Sequence, residues 1–263
     1  MTSDPQTRLP LSLKNRQSET VCDPRADPLA YLALVTLGLE TEVFDGLGEV
    51  AERALGRRDT GWLTYENGLK RLLDFTLAFV ALVVLAPFLL VLSIVIRWDS
   101  KGPAIFRQIR VGKNGRSFEL YKFRSMCVGA EEKLAALWGQ NELNGPVFKM
   151  RDDPRLTRVG RFLRRFSIDE LPQLLNILLG EMSIVGPRPP LPREVVMYSE
   201  ADRLRLSVTP GLTCLWQVSG RSDTTFERWM ELDRRYVASI SLSLDLWLIA
   251  QTIWVVLVAR GAY

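Results

Sequence analysis

The chain has 263 residues, 47% hydrophobic and 24% charged, with a net charge of +4, which is ample for one or two compact domains and excludes a wholly disordered chain. It contains no histidine, so the commonest general base and the commonest transition-metal ligand are both absent, and any chemistry rests on carboxylates, Lys, Arg and hydroxyls. The three cysteines, Cys22, Cys127 and Cys214, are odd in number and widely separated, without metal or disulfide spacing, as expected in a reducing compartment.

Arginine is dense in residues 107–124, 151–165 and 188–235. Such patches suit an anionic partner: a phosphorylated substrate, a nucleic acid or acidic lipid headgroups. Aromatic residues do not interleave with them as in a recognised nucleic-acid module, so no nucleic-acid partner is expected.

In chain order, residues 1–28 are polar, with Pro5, Pro10, Pro24 and Pro28, and read as a flexible tail without a cleavable signal peptide. Leu29 to Leu39 is apolar but too short for a bilayer span. With the acidic stretch Glu40–Arg57 it reads as a small helical extension. Phe75 to Ile96 carries no charge, and as a helix would reach roughly 33 Å, enough to cross hydrocarbon. Pro87 lies within it and removes a backbone donor, which bends or breaks a helix. Both flanks are basic (Lys70 and Arg71 before; Arg97, Lys101, Arg107 and Arg110 after), so the positive-inside rule sets no orientation. Two forms fit: an ordinary kinked span, or a re-entrant segment that turns at Pro87 and leaves by the face it entered.

Residues 104–124 predict a β-hairpin turning at Lys113-Asn114-Gly115. Leu120, Lys122 and Arg124 would share one face of its second strand; the two cations suit either a phosphate or a solvated edge. Ala130–Leu143 predicts an amphipathic helix. Leu171, Leu174, Leu175 and Leu178 then recur at a spacing that buries one helix face. Ser167 and Glu170 fit a capping box, whereas Pro172 moves the regular start nearer Leu171. Either way Asp169 and Glu170 fall in or just before a first turn, where free amides and the helix dipole favour anions, and Gly180 is the expected stop. In Gly186-Pro187-Arg188-Pro189-Pro190, prolines on both sides hold Arg188 in a stiff, extended backbone. Such a loop is either a phosphate contact or a plain connector. Pro210-Gly211 and Gly220-Arg221 mark turns, and Trp216 suits the core and ligand stacking equally. Leu246–Val258, with Trp247 and Trp254, is short for a span and reads as an interfacial helix or a core helix facing the membrane part.

Asp169 and Glu170 are adjacent, so on a helix their side chains diverge and do not share one proton as facing dyads do. The residues leave two readings. One carboxylate attacks phosphorus while the other holds a metal that neutralises phosphate oxygens, or both merely complement the helix dipole.

These blocks together resemble the monotopic phosphoglycosyl transferases, or bacterial sugar transferases. The resemblance rests on Lys70-Arg71-Leu72-Leu73-Asp74, Tyr121 to Met126, Asp152 to Arg161, Ser167 to Gln173, Gly186 to Pro189, Pro210 to Thr213, Gln217 to Arg221, Glu231-Leu232-Asp233 and Gly261-Ala262-Tyr263. It covers roughly residues 69–263 in family order. It implies a fold of α/β class, mostly helical with a small β-hairpin: a monotopic membrane protein with a Pro-kinked re-entrant helix and interfacial amphipathic helices. The expected parts are an N-terminal extension (1–68), a re-entrant membrane helix (69–98) broken at Pro87, and a cytoplasmic catalytic domain (99–263) with an interfacial C-terminal helix.

The implied reaction moves a hexose-1-phosphate, with galactose or glucose favoured, from a UDP-sugar to undecaprenyl phosphate. UMP is released, and exopolysaccharide, capsule or O-antigen synthesis begins. By resemblance, Asp169 is the nucleophile, carrying a covalent phosphosugar, and Glu170 holds Mg²⁺. Arg164 binds phosphate, Pro187, Arg188 and Pro189 shape the nucleotide site, Lys122 and Asp233 support it, and Arg124 and Arg221 complete the substrate-binding set. Ala86 stands where the family often has Ser before the membrane proline, which leaves the insertion depth open. The implied location is the bacterial inner membrane, in contact with lipid. A homodimer is compatible with the sequence and not required by it. Relatives with a multi-spanning N-terminal portion suggest that this is a small form with a soluble extension. The alternative is a non-catalytic membrane scaffold for a glycan assembly complex, which would need neither acid.

Overall fold

The computed structural model describes Tyr65 and residues 68–142, 147–219 and 225–258. The expected 1–68 extension, apart from Tyr65 and Gly68, lies outside the described residues, as do Arg221 and the Gly261-Ala262-Tyr263 ending. All described residues belong to the compact unit 44–263. It is mostly helical, with two small two-stranded sheets, one antiparallel and one parallel.

Helix α1, Leu69–Asp99, is the one described helix long and apolar enough to cross a membrane. It runs through Pro87 without interruption, so the proline does not break it. The missing N–H costs one hydrogen bond, while the neighbouring turns on both sides stay intact. Most of its surface is exposed, including Leu72, Val83, Val84, Leu90 and Trp98. Both ends are nevertheless bonded to the rest of the unit. At the start, Lys70 Nζ meets Asp245 at 2.5 Å and the Val185 carbonyl at 2.9 Å. Arg71 donates to the carbonyls of Ile177 and Leu178, and Asp74 accepts from Ile184 N–H at 2.9 Å. At the end, Arg124 donates to the carbonyls of Ile96, Ser100 and Lys101, at and just past the helix terminus.

Strands β1, Ile105–Val111, and β2, Ser117–Phe123, form the predicted hairpin, with Phe106 opposite Lys122 and Arg110 opposite Phe118. Asn114 (φ 56°) and Gly115 (φ 78°) take the left-handed turn conformations their types tolerate. The amphipathic helix expected over Ala130–Leu143 is only one α-turn, Leu134–Leu137, followed by a 3₁₀ turn, Trp138–Gln140, neither with a buried residue. Without a surface to pack on, the apolar periodicity does not propagate into a helix.

Helix α2, Arg158–Arg165, is capped by Thr157, whose hydroxyl accepts from Gly160 N–H. Helix α3, Gln173–Leu179, ends at Gly180 (φ 89°) as expected. Its buried face is Gln173, Leu174, Asn176 and Ile177, while Leu175 and Leu179 are exposed. The leucine spacing thus placed Leu174 inside and Leu171 and Leu178 half-buried as expected, and erred at Leu175, whose place inside is taken by Asn176. Asn176 turns inward because it is fully bonded there: its side-chain amide donates to the Glu119 carbonyl and to Glu181, and its oxygen accepts from Tyr121 N–H. Ala78 of α1, Phe118 and Leu120 of the hairpin, and Leu174 and Ile177 of α3 share one apolar cluster.

Strands β3, Ser183–Val185, and β4, Gly211–Thr213, pair in parallel. Helix α4, Phe226–Ser239, and helix α5, Leu242–Leu257, pack Leu232, Tyr236 and Leu248 against Val185 and Leu215. Trp216 packs against Trp229, ring centroids 4.4 Å apart, and belongs with the core. Helix α5 buries Asp245 and Leu248 and exposes Leu246, Trp247, Ile253, Trp254 and Leu257.

Candidate active site

Asp169 and Glu170 lie in a 3₁₀ turn, Ile168–Glu170, between α2 and α3. The residue before it, Ser167, has φ 54° and makes no side-chain cap, so the expected capping box is not formed. A left-handed serine reverses the chain at once after α2, a strained position for a side chain with a Cβ. The reversal sets the two acids at the start of α3 and opposite β2.

Lys122 on β2 meets Glu170 at 2.9 Å. The Asn176 bonds to Glu119 and Tyr121 fix the register that brings them together. Glu170 lies in a small open cleft of about 240 Å³ whose other walls include Lys122, Arg110, Arg188, Pro189 and Gln173. Burial raises the Glu170 pKa, but Lys122, Arg188 and Arg110 outweigh it and hold the carboxyl below its ordinary value. Asp169 is buried beside this cleft rather than on its lining. Burial raises its pKa, with Lys122 opposing, Glu170 adding to the rise and Arg164 opposing. Arg164, one turn before the reversal, bonds Ser125 Oγ through Nε at 3.1 Å and is close enough to Asp169 for each charge to act on the other.

The loop after β3 completes the cleft. Pro187 and Pro189 are buried and Arg188 is half-exposed. The loop's carbonyls are held from three sides: Pro187 by Gly211 N–H at 2.9 Å, Arg188 by Arg205 at 2.7 Å, and Pro189 by Arg110 at 3.0 Å. Gly186 and Gly211 touch so closely that a Cβ on Gly211 would lie 2.0 Å from the Gly186 nitrogen, which is why both are glycine.

Of the predicted residues, the structure brings Lys122, Arg164, Asp169, Glu170, Pro187, Arg188 and Pro189 together. Arg124 is elsewhere: it closes the end of α1, as its three carbonyl partners show. Asp233 does not reach the cleft; it pairs with buried Arg205 at 2.8 Å, and Arg205 in turn holds Arg188. Pro87 is mid-helix in α1. The sequence reading missed Arg110, Gln173, Arg205 and Gln217. Arg110 had a legible signal, since strand alternation puts it on the face of Leu120 and Lys122. Gln217 opens one of the blocks that carry the family resemblance, while Arg205 had no signal, because only long-range packing brings it to the loop. A larger cleft, about 440 Å³, opens beside Lys70, Arg71 and Asp74 at the start of α1 and holds neither acid.

No group of three or more acidic or cysteine side chains suited to a metal occurs among the described residues. Glu170 alone is a carboxylate in a cleft walled by cations. That fits Mg²⁺, which keeps several waters and takes one or two carboxylates together with substrate phosphates, and does not fit an all-protein metal cage.

The family model "Bacterial sugar transferase" matches residues 65–259. The chain is 42% identical over 238 residues to a galactosyl transferase, CpsE, of Streptococcus agalactiae, covering 87% of this chain and 52% of CpsE. It is 39% identical over 211 residues to the exopolysaccharide production protein ExoY of Sinorhizobium fredii, covering 78% of this chain and 93% of ExoY. An undecaprenyl-phosphate galactose phosphotransferase of Salmonella typhimurium is 40% identical over 203 residues, 74% of this chain and 42% of that protein. The chain thus spans about half or less of CpsE and the Salmonella relative and nearly all of ExoY. A family match over most of the chain makes this protein a transferase of the bacterial sugar transferase family.

Proposed function

We propose that the chain transfers a hexose-1-phosphate, from UDP-galactose or UDP-glucose, to undecaprenyl phosphate, and so starts the assembly of an exopolysaccharide or related surface glycan. The observation that carries this is the Asp169–Glu170 turn set among Lys122, Arg110, Arg188 and Arg164. The relatives whose names mention galactose or glucose and a lipid carrier support the substrates.

In the first half-reaction an Asp169 carboxylate oxygen attacks the sugar-bearing phosphorus. The new P–O bond forms as the bond to UMP breaks, and UMP leaves as an anion beside the cations of the cleft. In the second, an oxygen of the lipid phosphate attacks the same phosphorus, and the Asp169 carboxylate is released unchanged. Burial of Asp169 strips water from the attacking oxygen, and Lys122 and Arg164 oppose the rise in pKa that burial causes. Arg164, Lys122 and Arg188 stabilise the charge that develops on the phosphoryl oxygens. Mg²⁺, held by Glu170 and the donor phosphates, would neutralise the diphosphate when bound.

Both ends of α1 are bonded to one compact unit. That favours a helix that enters and leaves the bilayer by one face, with the catalytic domain on the cytoplasmic side of the inner membrane. The exposed tryptophans of α5 suit an interfacial position.

The test is UMP release by detergent-purified protein given Mg²⁺, undecaprenyl phosphate and a panel of UDP-sugars. UDP-galactose or UDP-glucose should support release, EDTA should stop it, and Asp169→Asn should abolish it while the protein remains folded. Undiminished release by Asp169→Asn would overturn the nucleophile, and a folded protein inactive with every UDP-sugar would favour the scaffold.

A further inference from the structure

Arg110 is the cleft residue with the least explained environment. It is 6% exposed, on the same hairpin face as Lys122. One terminal nitrogen donates to the Pro189 carbonyl and the other to Gln108, at 3.0 and 2.7 Å. Its Nε has no partner among the described residues although it is shielded from solvent, and each terminal nitrogen keeps a second hydrogen. Holding one loop carbonyl needs a single donor, and a neutral side chain would do it. Burying a guanidinium with donors unspent is costly unless an anion comes to meet them.

The cleft's charges point the same way. Arg110, Lys122 and Arg188 line the cleft with one carboxylate, Glu170, while Glu194 acts on Arg110 and Asp169 on Lys122 from outside the lining. Burial, and next the neighbouring Arg188, push the Arg110 pKa down to about 10 against the pull of Glu194 and Glu170. An anionic group would offset the cations that line the cleft. A planar fork such as arginine engages two phosphate oxygens at once, which the point charge of Lys122 cannot do.

We propose that Arg110 is a further phosphate-binding residue of the donor site, forming with Lys122 and Arg188 a cradle for the diphosphate of a nucleoside-diphosphate sugar. The proposal rests on the reaction proposed above. By also holding Pro189, Arg110 ties the donor's phosphates to the loop that carries Arg188.

The test compares UDP with uridine, which lacks phosphate, as ligands of the full-length detergent-solubilised protein. Affinities are measured for wild type, Arg110→Gln and Arg110→Lys, alongside the donor KM. A phosphate contact predicts that Arg110→Gln weakens UDP by about tenfold or more while uridine affinity changes less than about twofold. The donor KM should rise more than kcat falls, and Arg110→Lys should recover part of the UDP affinity. Equal losses of UDP and uridine would show that Arg110 only shapes the loop, and would overturn the proposal, as would unchanged UDP affinity. If Arg110→Gln does not fold, Arg110→Lys decides: a loss for UDP and not for uridine supports the contact, and parallel changes reject it. Wild-type protein that binds no UDP would remove the proposed reaction itself. Wild-type protein that binds UDP no better than Arg110→Gln would remove only the role of Arg110.

Discussion

Lys122 opposes the effect of burial on both acids, and its position on β2 makes it the most informative single residue to change. Glu170 is held below its ordinary pKa, so its ionised form contributes stability above the unfolded value of about 4.3, and this is lost as pH falls through the lower folded value. Lys122→Met should therefore destabilise the protein at pH 7 by about 1.5–3 kcal/mol, with the deficit shrinking as the pH falls below 4. Denaturant titrations in detergent at the two pH values would show it; an equal deficit at both would mean lost packing. Asp169 shifts the other way. Its carboxylate must be ionised to attack, so the acid limb of UMP release should lie above the usual aspartate value of about 3.9. A limb below that value would argue against a buried nucleophile.

At the scale of elements, the site depends on two contacts between elements. A Cβ on Gly160 would lie 1.9 Å from the Ser125 carbonyl oxygen, so Gly160→Ala must push α2 off the end of β2 and carry Arg164 from its bond to Ser125. The expected result is a fall in kcat/KM of about 100-fold with destabilisation of about 1–3 kcal/mol. Near-normal turnover would mean that Arg164 does not act from that position. The Arg205–Asp233 pair holds the Arg188 loop from behind. Burial raises the Asp233 pKa to about 6 against the pull of Arg205. Because the folded value is the higher one, the stability this carboxyl contributes is full below the unfolded value near 3.9 and is lost as pH rises through about 6. The charged pair itself is complete only above that pH. Asp233→Ala should therefore destabilise the protein more at pH 4 than at pH 7, and, by freeing the Arg205 guanidinium behind the Arg188 loop, raise the donor KM. Melting and steady-state kinetics on one preparation would separate the two effects. An unchanged KM would mean that Arg188 is placed without this support.

For the whole molecule, the consequential fact is that α1 is tied down at both ends, by Lys70, Arg71 and Asp74 at its start and by Arg124 at its finish. Gly68→Cys and Lys101→Cys, each in a protein lacking the native cysteines, should react with an impermeant thiol reagent from the same face of the membrane. Labelling from opposite faces would make α1 a span. Lys70→Met should weaken the link between α1 and α5 by leaving the buried Asp245 carboxylate with only its tyrosine partners, Tyr65 and Tyr236.

Much was legible from local pattern. The uncharged run over α1, the Asn114-Gly115 turn, the Gly180 stop and the proline-bounded Arg188 all follow from backbone chemistry within a few residues. The acid pair at a helix start was readable for the same reason, whereas the placing of Lys122 across from it comes from a contact far along the chain. What was not legible depended on partners far along the chain. Arg124 resembles a site cation in sequence and becomes a helix cap because α1 ends beside it. Asn176, not a leucine, turns inward because β2 offers it backbone partners. The Ala130–Leu143 helix stops short because its described turns, Leu134–Leu137 and Trp138–Gln140, bury no residue. By itself the sequence determined which chemistry is available, carboxylates and cations without histidine, and the reversals that expose it. Only the tertiary structure decided which of the many arginines meet at the cleft, since burial, register and charge compensation are properties of the packed chain.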